Sequence, residues 1–130
     1  MFTSVFAANV HLHPKANSTV DGKAPTKSLM SPGSCEIEII NSSSVGVNVF
    51  GEFDDGMRLE PFSIYPSPIG YDSPHYISLY YYGDCHRWMS VLSIETFAGY
   101  NVFTGYDVPV RSTIRVLPYL NKLKVEISNK

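Results

Sequence analysis

Between Cys35 and Ile39 the chain alternates strictly, so Cys35, Ile37 and Ile39 share one face while Glu36 and Glu38 share the other. That is the pattern of a half-buried β-strand. After a polar turn at Asn41-Ser42-Ser43-Ser44, Val45, Val47 and Val49 again share a face, and Gly51 reads as a bulge ahead of Phe53. Asp54-Asp55-Gly56 closes this strand with a turn. Residues 58–68 read as a short strand hemmed by Pro61, Pro66 and Pro68, which donate no ladder hydrogen bonds, so its place is a sheet edge. Tyr76 to Tyr82 alternates too, with Ile77, Leu79 and Tyr81 on one face and Tyr76, Ser78, Tyr80 and Tyr82 on the other. Residues 88–97 and 100–106 flank Ala98-Gly99, the tightest hairpin signal in the chain. Residues 113–117 and 122–128 complete the series, the last with Leu123, Val125 and Ile127 inward and Lys122, Lys124 and Glu126 outward.

Seven to eight short strands, joined by Gly/Pro/Asn/Asp/Ser turns and with no helical pattern of three turns, predict an all-β domain. The expected architecture is an antiparallel immunoglobulin-like β-sandwich over 35–130, with a small barrel as the alternative. Trp88 follows Cys85 instead of lying between the two cysteines, so the likeness to immunoglobulins is one of architecture alone. The preceding residues differ in kind. From Lys15 to Ser34 there is no apolar period, and Pro, Gly, Ser, Thr and Asn dominate, so residues 9–34 are expected to form a disordered, flexible N-terminal arm. Residues 1–8 look like a remnant of a signal peptide, with Val5 and Ala7 at its −3 and −1 positions, although a positive start and a long apolar core are missing.

Composition narrows the function classes. A length of 130 residues suits one folded domain, and 17% charged with 44% hydrophobic residues excludes the charge-rich disordered class. Ten Lys+Arg against twelve Asp+Glu give a net charge of −2, which argues against a nucleic-acid partner. Charges interrupt every apolar run before the roughly 20 residues of a membrane-spanning helix. In an exported chain, periplasmic or secreted, Cys35 and Cys85 are expected to form a disulfide that stabilises by roughly 4 kcal/mol. Buried thiols in a cytosolic protein are the alternative. Asn17 and Asn41 head Asn-x-Ser/Thr sequons, which matter only in a eukaryotic secretory pathway.

Candidate chemistry is sparse. His11-x-His13 points two rings the same way, but two ligands on a mobile arm make a weak metal site, and no metal or cofactor is expected. His75 and His86 flank the Tyr-rich strand and are expected in solvated or capping roles. Asp54, Asp55, Asp72 and Asp84 fall in turns, and Phe53 to Met57 lacks the spacing of a calcium loop. There is no Gly-x-Ser-x-Gly, no His-Glu-x-x-His and no phosphate or dinucleotide loop, which points away from an enzyme. The aromatics rise above background: nine Tyr, seven Phe and one Trp. Tyr76, Tyr80 and Tyr82, with Arg87, Tyr100 and Tyr106 near turns, form the candidate binding surface, unless the Tyr76 face is itself packed in the core. The expected function is non-enzymatic recognition of a protein partner through a Tyr-rich face or loops. A carbohydrate-binding module using Tyr76, Tyr80, Tyr82 and Arg87 is one alternative, and a small hydrolase with a non-motif site is another.

Phe53-Asp54-Asp55-Gly56, Pro61-Phe62, Leu79-Tyr80-Tyr81-Tyr82, Cys85-His86 and Lys124-Val125-Glu126-Ile127 resemble the small exported β-sandwich proteins of Gram-negative bacteria that have no characterised activity. The resemblance covers residues 35–130. It implies export and an immunoglobulin-like fold, and assigns no functional residue.

Overall fold

Among the residues that the computed structural model describes, 9–15, 35–66, 74–119 and 122–129, there are eleven strands and no helix. In chain order they are β1 (Val10–His11), β2 (Glu36–Asn41), β3 (Val47–Glu52), β4 (Arg58–Ile64), β5 (His75–Ser78), β6 (Tyr80–Tyr81), β7 (Asp84–Cys85), β8 (Trp88–Thr96), β9 (Asn101–Pro109), β10 (Ser112–Tyr119) and β11 (Lys122–Asn129). A five-stranded sheet runs β1-β5-β2-β10-β11, a four-stranded sheet runs β4-β3-β8-β9, and β6 with β7 makes a separate two-stranded hairpin. The inner faces of the two larger sheets meet in one core. Ile37, Ile39, Ile77, Ile114 and Val116 come from the first, and Val47, Val49, Leu92, Ile94 and Val108 from the second.

The count exceeds seven to eight because the Tyr-rich run is two strands, not one, and because β1 and β7 are two residues long. Such short pieces carry too little alternation to be read. Leu79 breaks the run by turning its N–H to the Cys35 carbonyl. Two pairings are parallel, β1 with β5 and β2 with β10, against the expectation of a wholly antiparallel set. The boundary of the arm also moves. Residues 9–15 belong to the fold, because their two histidines find partners far along the chain; the remainder of the arm, 16–34, and the signal-like residues 1–8 lie outside the described residues, as does Asp72.

Face assignments hold for Cys35, Ile37, Ile39, Ile77, Leu79 and Tyr81, all buried. Glu36 differs from its expected outward exposure, since it too is buried. Val45 lies before β3 and is exposed, and Ile127 is half exposed because β11 is an outer strand of which Leu123 and Val125 pack on the core. β4 does sit at an edge, as Pro61 requires.

The bulge is present. The β3–β4 register shifts between Val49 and Gly51, with Glu60 and Pro61 facing the single residue Phe50, so the proline that cannot donate occupies the irregular position. Gly51 is needed for another reason. A Cβ there would stand 2.4 Å from Met89 Cε and 2.9 Å from the Val91 carbonyl oxygen, closer than packed atoms approach. Gly51→Ala is therefore expected to destabilise the fold by about 1–3 kcal/mol through overpacking, seen as a lower urea midpoint with an unchanged slope.

Candidate functional site

One end of the molecule is organised by the β3–β4 turn. Gly56, at φ 87°, lets the chain reverse, and the Met57 N–H donates to Asp55 Oδ1 at 3.0 Å, so both carboxylates project from a fixed loop. Each carboxylate then takes one tyrosine and one histidine. Asp54 accepts the Tyr81 hydroxyl on Oδ1, and its Oδ2 lies 2.8 Å from His86 Nδ1. Asp55 Oδ2 accepts from His13 Nε2 and from the Tyr82 hydroxyl, each at 2.9 Å. His13 Nδ1 accepts the Lys15 N–H at 2.9 Å, which leaves Nε2 as the donor to Asp55.

The rings stack as well as bond. Tyr81 lies between His13, 3.9 Å away, and His86, 3.8 Å away, with Phe53 and Tyr82 edge-on at 5.3 Å. His86 Nε2 donates to the Tyr81 carbonyl at 3.2 Å. Burial, reinforced by the Asp54 hydrogen bond and charge, pushes the Tyr81 hydroxyl well above the ordinary tyrosine range. The hydrogen bond to Asp55 raises Tyr82 in the same direction. For Asp55, desolvation acts upward but is outweighed by hydrogen bonds from Met57, Tyr82 and His13, so its carboxyl sits below the usual value.

The β6–β7 hairpin carries three of these groups and turns through Tyr82 (φ 56°) and Gly83 (φ 79°). A tyrosine in the left-handed region is strained, and its side-chain contacts hold it there. Cys85 on β7 is bonded to Cys35, with the Cα atoms 5.8 Å apart, so the expected disulfide fastens this hairpin to the start of β2.

Nearby, His11 stacks on Phe62 at 3.5 Å and shares a hydrogen bond with His75, Nε2 to Nδ1, at 3.0 Å. Desolvation, with His75 adding repulsion, lowers the His11 pKa to about 4, and burial lowers His75 as well. Of the solvated or capping roles expected for His75 and His86, His75 is half-buried against His11, whereas His86 is partly exposed and bonds Asp54 and the Tyr81 carbonyl. His11 and His13 do not converge on a common point. Each enters its own socket, and among the described residues no group of three or more His, Cys, Asp or Glu could hold a metal ion.

The opposite end of the nine-residue β8, roughly 30 Å away, is apolar. The loop before β3, the β8–β9 hairpin and the end of the β10–β11 hairpin enclose a groove of about 900 Å³, floored and walled by Val45, Phe97, Tyr100, Val102, Pro118 and Leu123. Ser44, Thr96 and Asn101 add polar groups, and among the described residues no lining side chain is charged. Tyr65, itself open, meets Phe97 edge-on at 5.3 Å.

The six tyrosine and arginine positions expected to form one surface are dispersed. Tyr76 is half-buried on β5, with its hydroxyl 3.4 Å from Glu38, and Tyr80 packs against the core. Tyr82, 58% exposed, belongs to the Asp55 network. Arg87 borders a 200 Å³ concavity with Asp54, Asp84, Cys85, His86 and Trp88 at that same end. Tyr100 lies in the apolar groove, and Tyr106 stands on β9 opposite Val91; each is 73% exposed. The twist of the sheets and the break at Leu79 scatter rings that alternation alone would align. Sequence reasoning missed Val45, Phe97 and Trp88. The available signal was large apolar residues inside or beside turn segments, where burial is not expected.

Because His11 and His75 are held neutral, folding disfavours their protonation. The stability this provides is complete above the unfolded value near 6.5 and is lost as pH falls below it, in the case of His11 through about 4. Relative to His11→Phe, which keeps the stack on Phe62, the native chain is expected to lose about 1–2 kcal/mol between pH 7 and 4, a figure reduced for partial exposure. Urea midpoints of the two proteins across that range measure it.

No protein-family model matches this sequence, and no curated protein matches it. Among solved structures, intact pneumolysin, described as a sugar binding protein, is similar at 18% identity over 73% of this chain and 23% of its own, with a TM-score of 0.43. The membrane-binding domain of pneumolysin aligns at 15% identity over 73% of this chain and 96% of its own, with a TM-score of 0.42. A protein from Eubacterium rectale aligns at 18% identity over 77% of this chain and 95% of its own, with a TM-score of 0.39. This chain spans about a quarter (23%) of the length of that pneumolysin chain. At these scores the likeness assigns neither a topology nor an activity.

Proposed function

We propose that this protein is an exported, immunoglobulin-like β-sandwich that binds and does not catalyse, and that it holds an apolar segment of a protein partner in the groove at its hairpin tips. The observation that carries this reading is the apolar lining that Val45, Phe97, Val102, Pro118 and Leu123 give that 900 Å³ groove, with Tyr100 and Phe97 open beside it. Wide apolar concavities rimmed by a few polar groups suit aromatic and aliphatic anchors of a partner, and tyrosine supplies contact area at small entropy loss. Export is supported by the Cys35–Cys85 disulfide, since such bonds persist in oxidising compartments. Among the described residues no helix is long and apolar enough to cross a membrane. Two sheets of five and four strands sharing one core support the sandwich.

Against hydrolysis stands the geometry of the two His–Asp pairs. Both nitrogens of His13 and both of His86 are engaged by protein atoms, so neither ring turns a free nitrogen toward a substrate as a general base must. A second binding mode has one observation in its favour. Trp88, 45% exposed, shares the 200 Å³ concavity with Asp84 and Arg87, and an open indole beside charged hydrogen-bonding groups suits a sugar ring. Of the residues first considered for carbohydrate, Arg87 alone borders that concavity.

Selection of a phage-displayed random peptide library on the immobilised protein tests the main reading. Peptides rich in aromatic and aliphatic residues are expected, and Val45→Glu with Tyr100→Ala should weaken them at least about tenfold, about 1.4 kcal/mol, without moving the thermal midpoint. Peptides that bind the double variant unchanged, or charged peptides alone, overturn it. A glycan array that responds to Trp88→Ala and not to the groove variants would favour the sugar reading instead.

A further inference from the structure

Residues 9–15 occupy a seat made entirely by distant parts of the chain. β1 adds to the outer edge of β5 as a parallel strand, with the Tyr76 N–H donating to the Asn9 carbonyl at 2.8 Å. Two sockets then receive alternate side chains. Phe62 on β4 and His75 on β5 take the ring of His11, while Phe53, Tyr81, Tyr82 and Asp55 enclose the ring of His13. The hydrogen-bond partners, His75 and Asp55, lie 64 positions from His11 and 42 from His13. Backbone pairing that is indifferent to sequence, combined with pockets for every second side chain, is how sheets capture extended peptides from other chains.

We infer that this seat is a peptide-acceptor groove, filled here by the chain's own residues 9–15 and equally able to take the same residues of a second copy, so that two copies pair by exchanging them. The occupant is fixed by fit, because the imidazole-x-imidazole spacing that matches both sockets is displayed in the segment itself. Reach permits the exchange: the chain from Lys15 to Cys35 spans roughly 65 Å when fully extended, more than the width of a domain of this size. Exchange also preserves every contact. The bonds made in one chain are the bonds made between two, so concentration decides between them, as in other swapped dimers. An empty seat is the unfavourable state. It leaves the edge of β5 unpaired and uncovers the faces of Phe53 and Tyr81, both buried in the closed chain. This inference concerns a different surface from the apolar groove and stands or falls without it.

The test uses a fluorescent synthetic peptide of residues 9–15 and the full chain. A chain carrying His13→Ala has lost its own anchor and is expected to bind the peptide at least about tenfold more tightly than the native chain, whose seat is filled. The same peptide with both histidines replaced by alanine should not bind. Equal binding by the two chains, or none by either, overturns the inference. Should His13→Ala fail to fold, the native chain decides the matter. Refolded from urea at roughly millimolar concentration, it should yield a dimer by size-exclusion light scattering that persists on dilution. Native chain that returns as monomer at every concentration overturns the proposal.

Discussion

Two adjacent carboxylates hold one end of this molecule in place. Asp54 and Asp55 leave a single turn side by side, and between them they engage two tyrosine hydroxyls and two imidazole rings drawn from residues 9–15 and from the β6–β7 hairpin. None of these partners is a sequence neighbour, so the turn converts three separate stretches of chain into one unit. Its polar groups are satisfied internally, and among the described residues no buried side-chain nitrogen or oxygen lacks a partner. The stack of His13, Tyr81 and His86 partly covers the His13–Asp55 and Tyr81–Asp54 bonds, and the Tyr82–Asp55 and His86–Asp54 bonds stay open to water. The disulfide at Cys85 reinforces the same hairpin from the other side.

The two ends of β8 therefore have opposite characters. At Trp88 the surface is charged, cross-linked and closely bonded; at Thr96 it opens into a groove lined largely by apolar side chains. A rigid end joined to an open end is the usual arrangement for recognition, since loops held by a stiff scaffold lose less entropy on binding.

Much of the fold was legible. Alternation located β2, β3, β8, β9, β10 and β11, the Ala98-Gly99 hairpin and the edge position of β4, because each of these follows from side-chain period or from proline's missing donor. The disulfide followed from two cysteines on or beside strands. What stayed hidden was long-range. β1 is a strand only because His11 and His13 are received by residues more than forty positions away, and no local pattern records that. Glu36 is buried although alternation puts it outside, since an outer face can be covered by elements the period does not see. The candidate site was legible in its residue types and not in its grouping. Tyr82 and Arg87 were singled out for exposure and do share an end, whereas Tyr100 lies at the other, separated by the length of a strand.

The parallel pairing of β2 with β10 bears on how the chain reaches this state. Thr113 bonds to Glu38 across 75 positions, and these strands lie at the centre of the five-stranded sheet. The four-stranded sheet, by contrast, is closed within residues 47–109 by strands that follow one another through hairpins and a single longer excursion. High contact order slows folding because loop entropy must be lost before the contact repays it. The β2–β10 pairing is therefore expected to form later than the β3–β4 and β8–β9 hairpins of the four-stranded sheet. Once β10 is in place, Glu38 on β2 accepts the Thr113 hydroxyl across that central pairing, so a side-chain bond as well as the backbone ladder joins the two halves of the chain.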